Sequence, residues 1–211
     1  MDSAFPAGAF AHSGGIEAAW QCGALRNGED VSAFVGEGIG QAATAALPFV
    51  CAAYTSPKDI AAIDEYVDSF FSNHVANRAS RLQGMAFLAT AADVFQIAEL
   101  HALRQRVLKN ELPGHWPLLF GVILRLLGVS LRVTLRTFIF LIMRGMLSAA
   151  VRLGIVGPLE AQRIQVALDA DMERAVETAL ATPLDQVHQT APLLEIWQMG
   201  QDRLYSRLFQ S

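Results

Sequence analysis

Lysine is almost missing from this chain: Lys58 and Lys109 are its only examples, and the 16 Lys and Arg residues are outweighed by 20 Asp and Glu, for a net charge of −4. Without a basic cluster there is no electrostatic footprint for nucleic acid. Cysteine is equally scarce. Cys22 and Cys51 have no companion at metal-ligand spacing and no signal peptide ahead of them, which points to a reducing, cytoplasmic setting. The five histidines, His12, His74, His101, His115 and His188, include no pair three or four apart, so nothing resembles a resident zinc or nickel site. There is no G-x-x-x-x-G-K-[ST], no G-x-G-x-x-G after a strand and no G-x-S-x-G, which excludes phosphate cradles, dinucleotide sites and nucleophile elbows. His12 beside Ser13 has no evident third member for a nucleophilic triad. Alternating strand patterns, repeats and linkers are absent too.

What is present is apolar and helical. Hydrophobic residues make up 53% of the 211, and charged residues 17%, more apolar surface than a monomer of this size comfortably hides. Self-association or a permanent partner is therefore expected. The apolar run from Trp116 to Val156 is cut by Arg125, Arg132, Arg136, Arg144 and Arg152, and Gly38 to Pro57 is diluted by Gln41, Thr44, Pro48 and alanines. Neither stretch is expected to span a membrane, which takes about twenty predominantly apolar residues.

The stretch from Arg144 to Ile164 is expected to end one helix, turn at Gly154 and Gly157, and start another at Pro158, with Met146, Leu147, Val151, Leu153, Ile155 and Val156 inside the core. Elsewhere, Met1 to Gly15 is expected to be irregular and Ile16 to Arg26 helical, with Asp30 or Ser32 capping a helix in which Gly36, Gly38 and Gly40 signal close packing. Ser56-Pro57 is expected to start the next helix. Asn73 to Phe95 reads as helix with more polar residues than a solvated face requires, and Leu112-Pro113-Gly114 as a break before a helix opened by Trp116-Pro117. Gly128 closes that one and Ser130 caps a long successor on which Arg132 and Arg136 share a face; Gly157 to Leu180 is amphipathic, and Pro192 restarts helix. The sum is one all-α domain, a bundle of roughly eight to ten helices.

Three stretches together resemble the urease accessory protein UreF family: Asp2-Ser3-Ala4-Phe5-Pro6-Ala7-Gly8-Ala9-Phe10-Ala11-His12-Ser13 with Glu17, the Arg152 to Gln162 corner, and the tail Tyr205-Ser206-Arg207-Leu208-Phe209. The resemblance implies an all-α homodimer acting as a non-enzymatic chaperone. It would join UreD (also called UreH) and the GTPase UreG on apo-urease to deliver nickel, which passes through the complex with no cofactor held permanently. By the same resemblance, Glu17 and Arg152 engage the GTPase. Tyr205, Leu208 and Phe209 would anchor UreD, with Arg203 and Arg207 as polar rim. Two departures stand out: the family usually has a leucine-rich segment ahead of the Asp-Ser pair, where here Met1 stands directly before it, and a histidine often found four residues before the tyrosine is Gln201 here. With two aromatics and a leucine near the chain end, the tail is expected to be partly exposed or mobile in the free protein. The rival readings are a helical hydrolase using a histidine and a carboxylate, and a membrane-associated helical protein.

Overall fold

The computed structural model describes residues 12–210, so most of the irregular lead-in expected over Met1 to Gly15 lies outside the described residues. Among those described there are eleven α-helices and no strand: α1 Ile16–Gln21, α2 Gly28–Ala45, α3 Leu47–Thr55, α4 Ile60–Phe70, α5 His74–Phe95, α6 Ala98–Leu108, α7 Trp116–Leu126, α8 Leu131–Arg152, α9 Pro158–Ala167, α10 Asp169–Ala181 and α11 Pro192–Gly200. The all-α expectation holds.

One contiguous core runs through the bundle, with α7 at its centre, because eight of α7's eleven residues are apolar and leave it no polar face. Phe87 of α5 stacks on Phe120 of α7 at 5.2 Å, and Phe138 of α8 lies 5.2 Å from Phe120 and 4.4 Å from Trp116. Such ring pairs add about 0.5–1.5 kcal/mol each beyond the area they bury. Helices α3 and α7 approach closely, since a Cβ on Gly121 would lie 2.5 Å from the Val50 carbonyl oxygen. On the outside, Arg132 and Arg136 of α8 reach Glu177, and Asp169 with Glu173, of α10. These exposed pairs contribute little to stability.

Helix α8 is long and apolar enough to cross a membrane, but it packs on α2, α3, α7, α9 and α10 as a core helix. The second candidate stretch, Gly38 to Pro57, is broken at Ala46 between α2 and α3.

At the corner, Gly154 takes a φ of 73° and Pro158 opens α9 as expected, whereas Gly157 is extended at −79° and needs no glycine freedom. Met146, Leu147 and Val156 are buried; Val151, Leu153 and Ile155 are only partly so. Other boundaries are corrected. Gly23, with φ 77°, follows α1, which ends at Gln21. Asn27, rather than Asp30 or Ser32, caps α2 by accepting the Asp30 amide, and α4 starts three residues after Pro57 behind an Asp59 that makes no side-chain cap. Ser130 sits at the α8 N-cap but its side chain does not cap. The amphipathic run after Gly157 is two helices, parted at Leu168. Of the three alternating glycines, only Gly38 is closely approached by the described residues, through Met146.

Candidate functional site

Gly14 and Gly15, at φ 63° and 92°, turn the chain into α1, and Gly15 is pressed against Trp197 and Gln198 of α11. A Cβ at Gly15 would be strained and crowded at once. The turn lays α1 against α8 and α11 and puts Glu17 inside, 2% exposed. Its carboxylate meets the far end of the chain. Oε1 accepts the Leu208 amide at 2.6 Å; Oε2 accepts the Gln201 carboxamide at 2.6 Å and the Phe209 amide at 3.1 Å. Gln201 also donates to the Phe209 carbonyl at 3.2 Å. Phe209 is buried, and the Arg152 guanidinium at the end of α8 lies 4.4 Å from its ring centroid, in cation–π range.

The tail is therefore seated and, as expected, partly exposed. It is two-sided. Tyr205 is fully exposed and Leu208 largely so, while Phe209 points in. Arg207 donates to Asp202, which also pairs with Arg78 and His74 of α5, and Arg203 is exposed at the end of the turn after α11. The Arg78 hydrogen bond, first among the causes, holds the Asp202 carboxyl below its ordinary range. Glu17 and Arg152, expected on one partner's side, and the tail, expected on another's, thus form a single cluster. Sequence reasoning had no way to pair Glu17 with residues more than 180 positions away.

A second polar cluster went unrecognised, although the excess of polar residues over Asn73 to Gly84 and the Gly114-His115-Trp116-Pro117 stretch were its signal. Asp64 of α4 accepts the amides of Gly114 (2.7 Å) and His115 (3.1 Å). The His115 ring, wholly buried, bridges Ser80 of α5 at Nδ1 (3.1 Å) and Asp68 of α4 at Nε2 (3.0 Å). Ser80 Oγ also accepts the Trp116 amide at 3.2 Å. Ser–His–Asp contacts of this kind invite a hydrolase reading. Here, however, the serine oxygen is engaged by the first amide of α7, so the cluster stitches the 113–116 loop to α4 and α5. Ser80→Ala should cost about 1–3 kcal/mol in urea unfolding, by orphaning the His115 and Trp116 groups; a variant as stable as the parent would contradict this role.

Burial, the largest cause, raises the Asp64 carboxyl to about 6, with its two amide donors opposing. A carboxyl raised on folding stabilises while protonated, fully below its unfolded value and progressively less as pH climbs through about 6. Burial lowers the His115 pKa, so the ring's contribution is present above its unfolded value near 6.5 and fades as pH falls. Unfolding free energies across pH 5–7 should therefore show an Asp64 component that falls with rising pH and is missing in Asp64→Asn. Identical pH slopes for both proteins would refute that assignment.

Between α2, α5, α8 and α11 lies a mainly apolar cleft of about 210 Å³, whose polar lining includes His12, Gln41, Gln83, Glu195 and Gln198. Glu195 is held there by Gln41 and Asn73, the latter also capping α5 through the Val75 and Ala76 amides. Among the described residues, no three His, Cys, Asp or Glu side chains are grouped to hold a metal ion.

The family model described as UreF matches residues 25–169. Over 214 residues, 99% of this chain and 82% of the relative, the chain is 38% identical to urease accessory protein F of Oryza sativa subsp. indica. It is 36% identical to urease accessory protein F of Arabidopsis thaliana, over its whole length and 90% of that relative. Urease accessory protein UreF of Paenarthrobacter aurescens is 32% identical over the whole chain and 94% of its own length.

Proposed function

The chain belongs to the UreF family of urease accessory proteins, and with a role in urease maturation as the premise we propose that it is a non-enzymatic chaperone bridging UreD and the GTPase UreG on apo-urease. Nickel is the cargo of that complex, not a resident cofactor of this chain. The observation that carries the reading is the tail: Tyr205 and Leu208 stand in solvent on a segment whose other side is fastened to Glu17. Exposed aromatic and aliphatic side chains on a fastened segment bind with little ordering cost. Arg203 and Arg207 flank them as the polar rim. Leu193, Ile196 and Met199, exposed at three-residue spacing on α11, add apolar surface next to the tail and favour association, including a homodimer. The compartment is the cytoplasm, where both cysteines stay reduced.

A pull-down with UreD and UreG from the same source tests the reading: the intact chain should capture UreD and, through it, UreG. Failure to capture either would sink it. The isolated chain should also neither bind nor hydrolyse GTP, for want of a Gly-rich loop presenting amides to phosphates. Saturable micromolar binding of labelled GTP would overturn that expectation. The hydrolase alternative, a histidine with a carboxylate, draws on the His115–Asp68 contact, and turnover of any substrate by the purified chain alone would favour it.

A further inference from the structure

Glu17 contributes one carboxylate to three donors, and all three belong to residues 201–209. Two are main-chain amides, so the contact fixes the path of the backbone and not merely a side chain. Phe209, 5% exposed beneath Arg152, fills the space behind that path. With Phe209 directed inward, its neighbour Leu208 is directed out, and a further hydrogen bond from Gln21 of α1 to the Ser206 carbonyl (3.0 Å) holds the segment that carries Tyr205.

We propose that Glu17 is a positioning residue, whose carboxylate seats the tail on α1 so that Phe209 is an internal plug and only Tyr205 and Leu208 are presented to the partner. This rests on the reading of the tail as the UreD-docking element, and it reassigns two residues within it. Glu17 acts on partners through the tail, because its own surface is covered, and Phe209 acts as part of the seat. Arg152 closes the seat from the α8 side. The chemistry requires a carboxylate. Glutamine has the same length but one acceptor oxygen, and its amide nitrogen would face a donor.

Hydrogen exchange at residues 201–210 and titration with UreD, run on the intact chain and on Glu17→Gln and Glu17→Asp, test this. Exchange of the Leu208 and Phe209 amides should quicken on the order of tenfold or more in Glu17→Gln while α7 amides stay protected. UreD affinity should fall in parallel, although neither Tyr205 nor Leu208 has been altered. Glu17→Asp, which keeps both acceptor oxygens, should recover part of each. A tail as protected in Glu17→Gln as in the parent would overturn the proposal, and so would a released tail that binds UreD undiminished. No UreD binding by the unsubstituted chain would overturn the docking reading and the presentation role with it, while the exchange data would still decide whether Glu17 holds the seat.

Discussion

Truncating Tyr205 and Leu208 together to alanine should abolish capture of UreD while leaving the melting curve almost unmoved. Both side chains face solvent and neither fills the core, so their loss falls in the class of surface changes worth within about 0.5 kcal/mol of stability. As anchors of an interface they belong to a different class, in which an aromatic or aliphatic hot spot costs about 2 kcal/mol or more. Two such losses would weaken binding by roughly three orders of magnitude. Deletion of Leu204 to Ser211 is a blunter instrument, since it also strips Glu17 of two amide donors and removes the buried Phe209 ring, so a measurable loss of stability should accompany it. The double substitution separates binding from folding. Undiminished UreD capture by the double variant would refute the role given to these two side chains.

The largest effect on the fold itself is expected at Gly84. A Cβ there would lie 2.1 Å from the Gly114 carbonyl oxygen, 2.9 Å from the Trp116 nitrogen and 3.0 Å from the His115 carbonyl carbon. All three are backbone atoms, so no side chain can swing aside. Helix α5 and the 113–116 loop would have to separate, and the loop is what Asp64 and Ser80 hold by its amides. Overpacking of this kind costs about 1–3 kcal/mol and occasionally more, and the strained hydrogen bonds place Gly84→Ala at the upper end. Gly40→Ala is the control. It is also helical, none of the described residues lies within 4 Å of its would-be Cβ, and the exchange should stabilise by up to about 1 kcal/mol. Equal urea midpoints for the two variants would show that the close approach at Gly84 does not matter.

The contrast between Gly84 and Gly40 also shows how far the sequence could be read. Helices punctuated by a strong local signal were legible: Gly114, Gly128 and Gly154 all adopt positive φ, and Trp116-Pro117 and Pro158 open helices as their chemistry dictates. Boundaries that depend on competition between nearby candidates were not. Asn27 takes the α2 cap from Asp30, and Leu168 divides a run whose apolar spacing continues across it. For the site, identity was legible and placement was not. Glu17, Arg152 and the tail stood out by resemblance, yet their convergence depends on a turn at Gly14-Gly15 that brings α1 under the chain end. Likewise, the polar surplus of Asn73 to Gly84 was visible, but its cause is tertiary: Asn77 serves Asp68, Arg78 serves Asp202, and Ser80 serves His115. Periodicity reports which face of a helix is apolar and carries no information about which distant loop its polar residues hold.

On the proposed function, this chain matures urease through the surface its seated tail presents. The most direct measurement combines apo-urease, UreD and UreG from the same source with nickel and GTP, and follows urease activity together with nickel bound to the enzyme. Adding the intact chain should raise both, and adding Tyr205→Ala/Leu208→Ala should raise neither. Equal activation with and without the intact chain, under conditions where it is folded and in excess, would contradict the account.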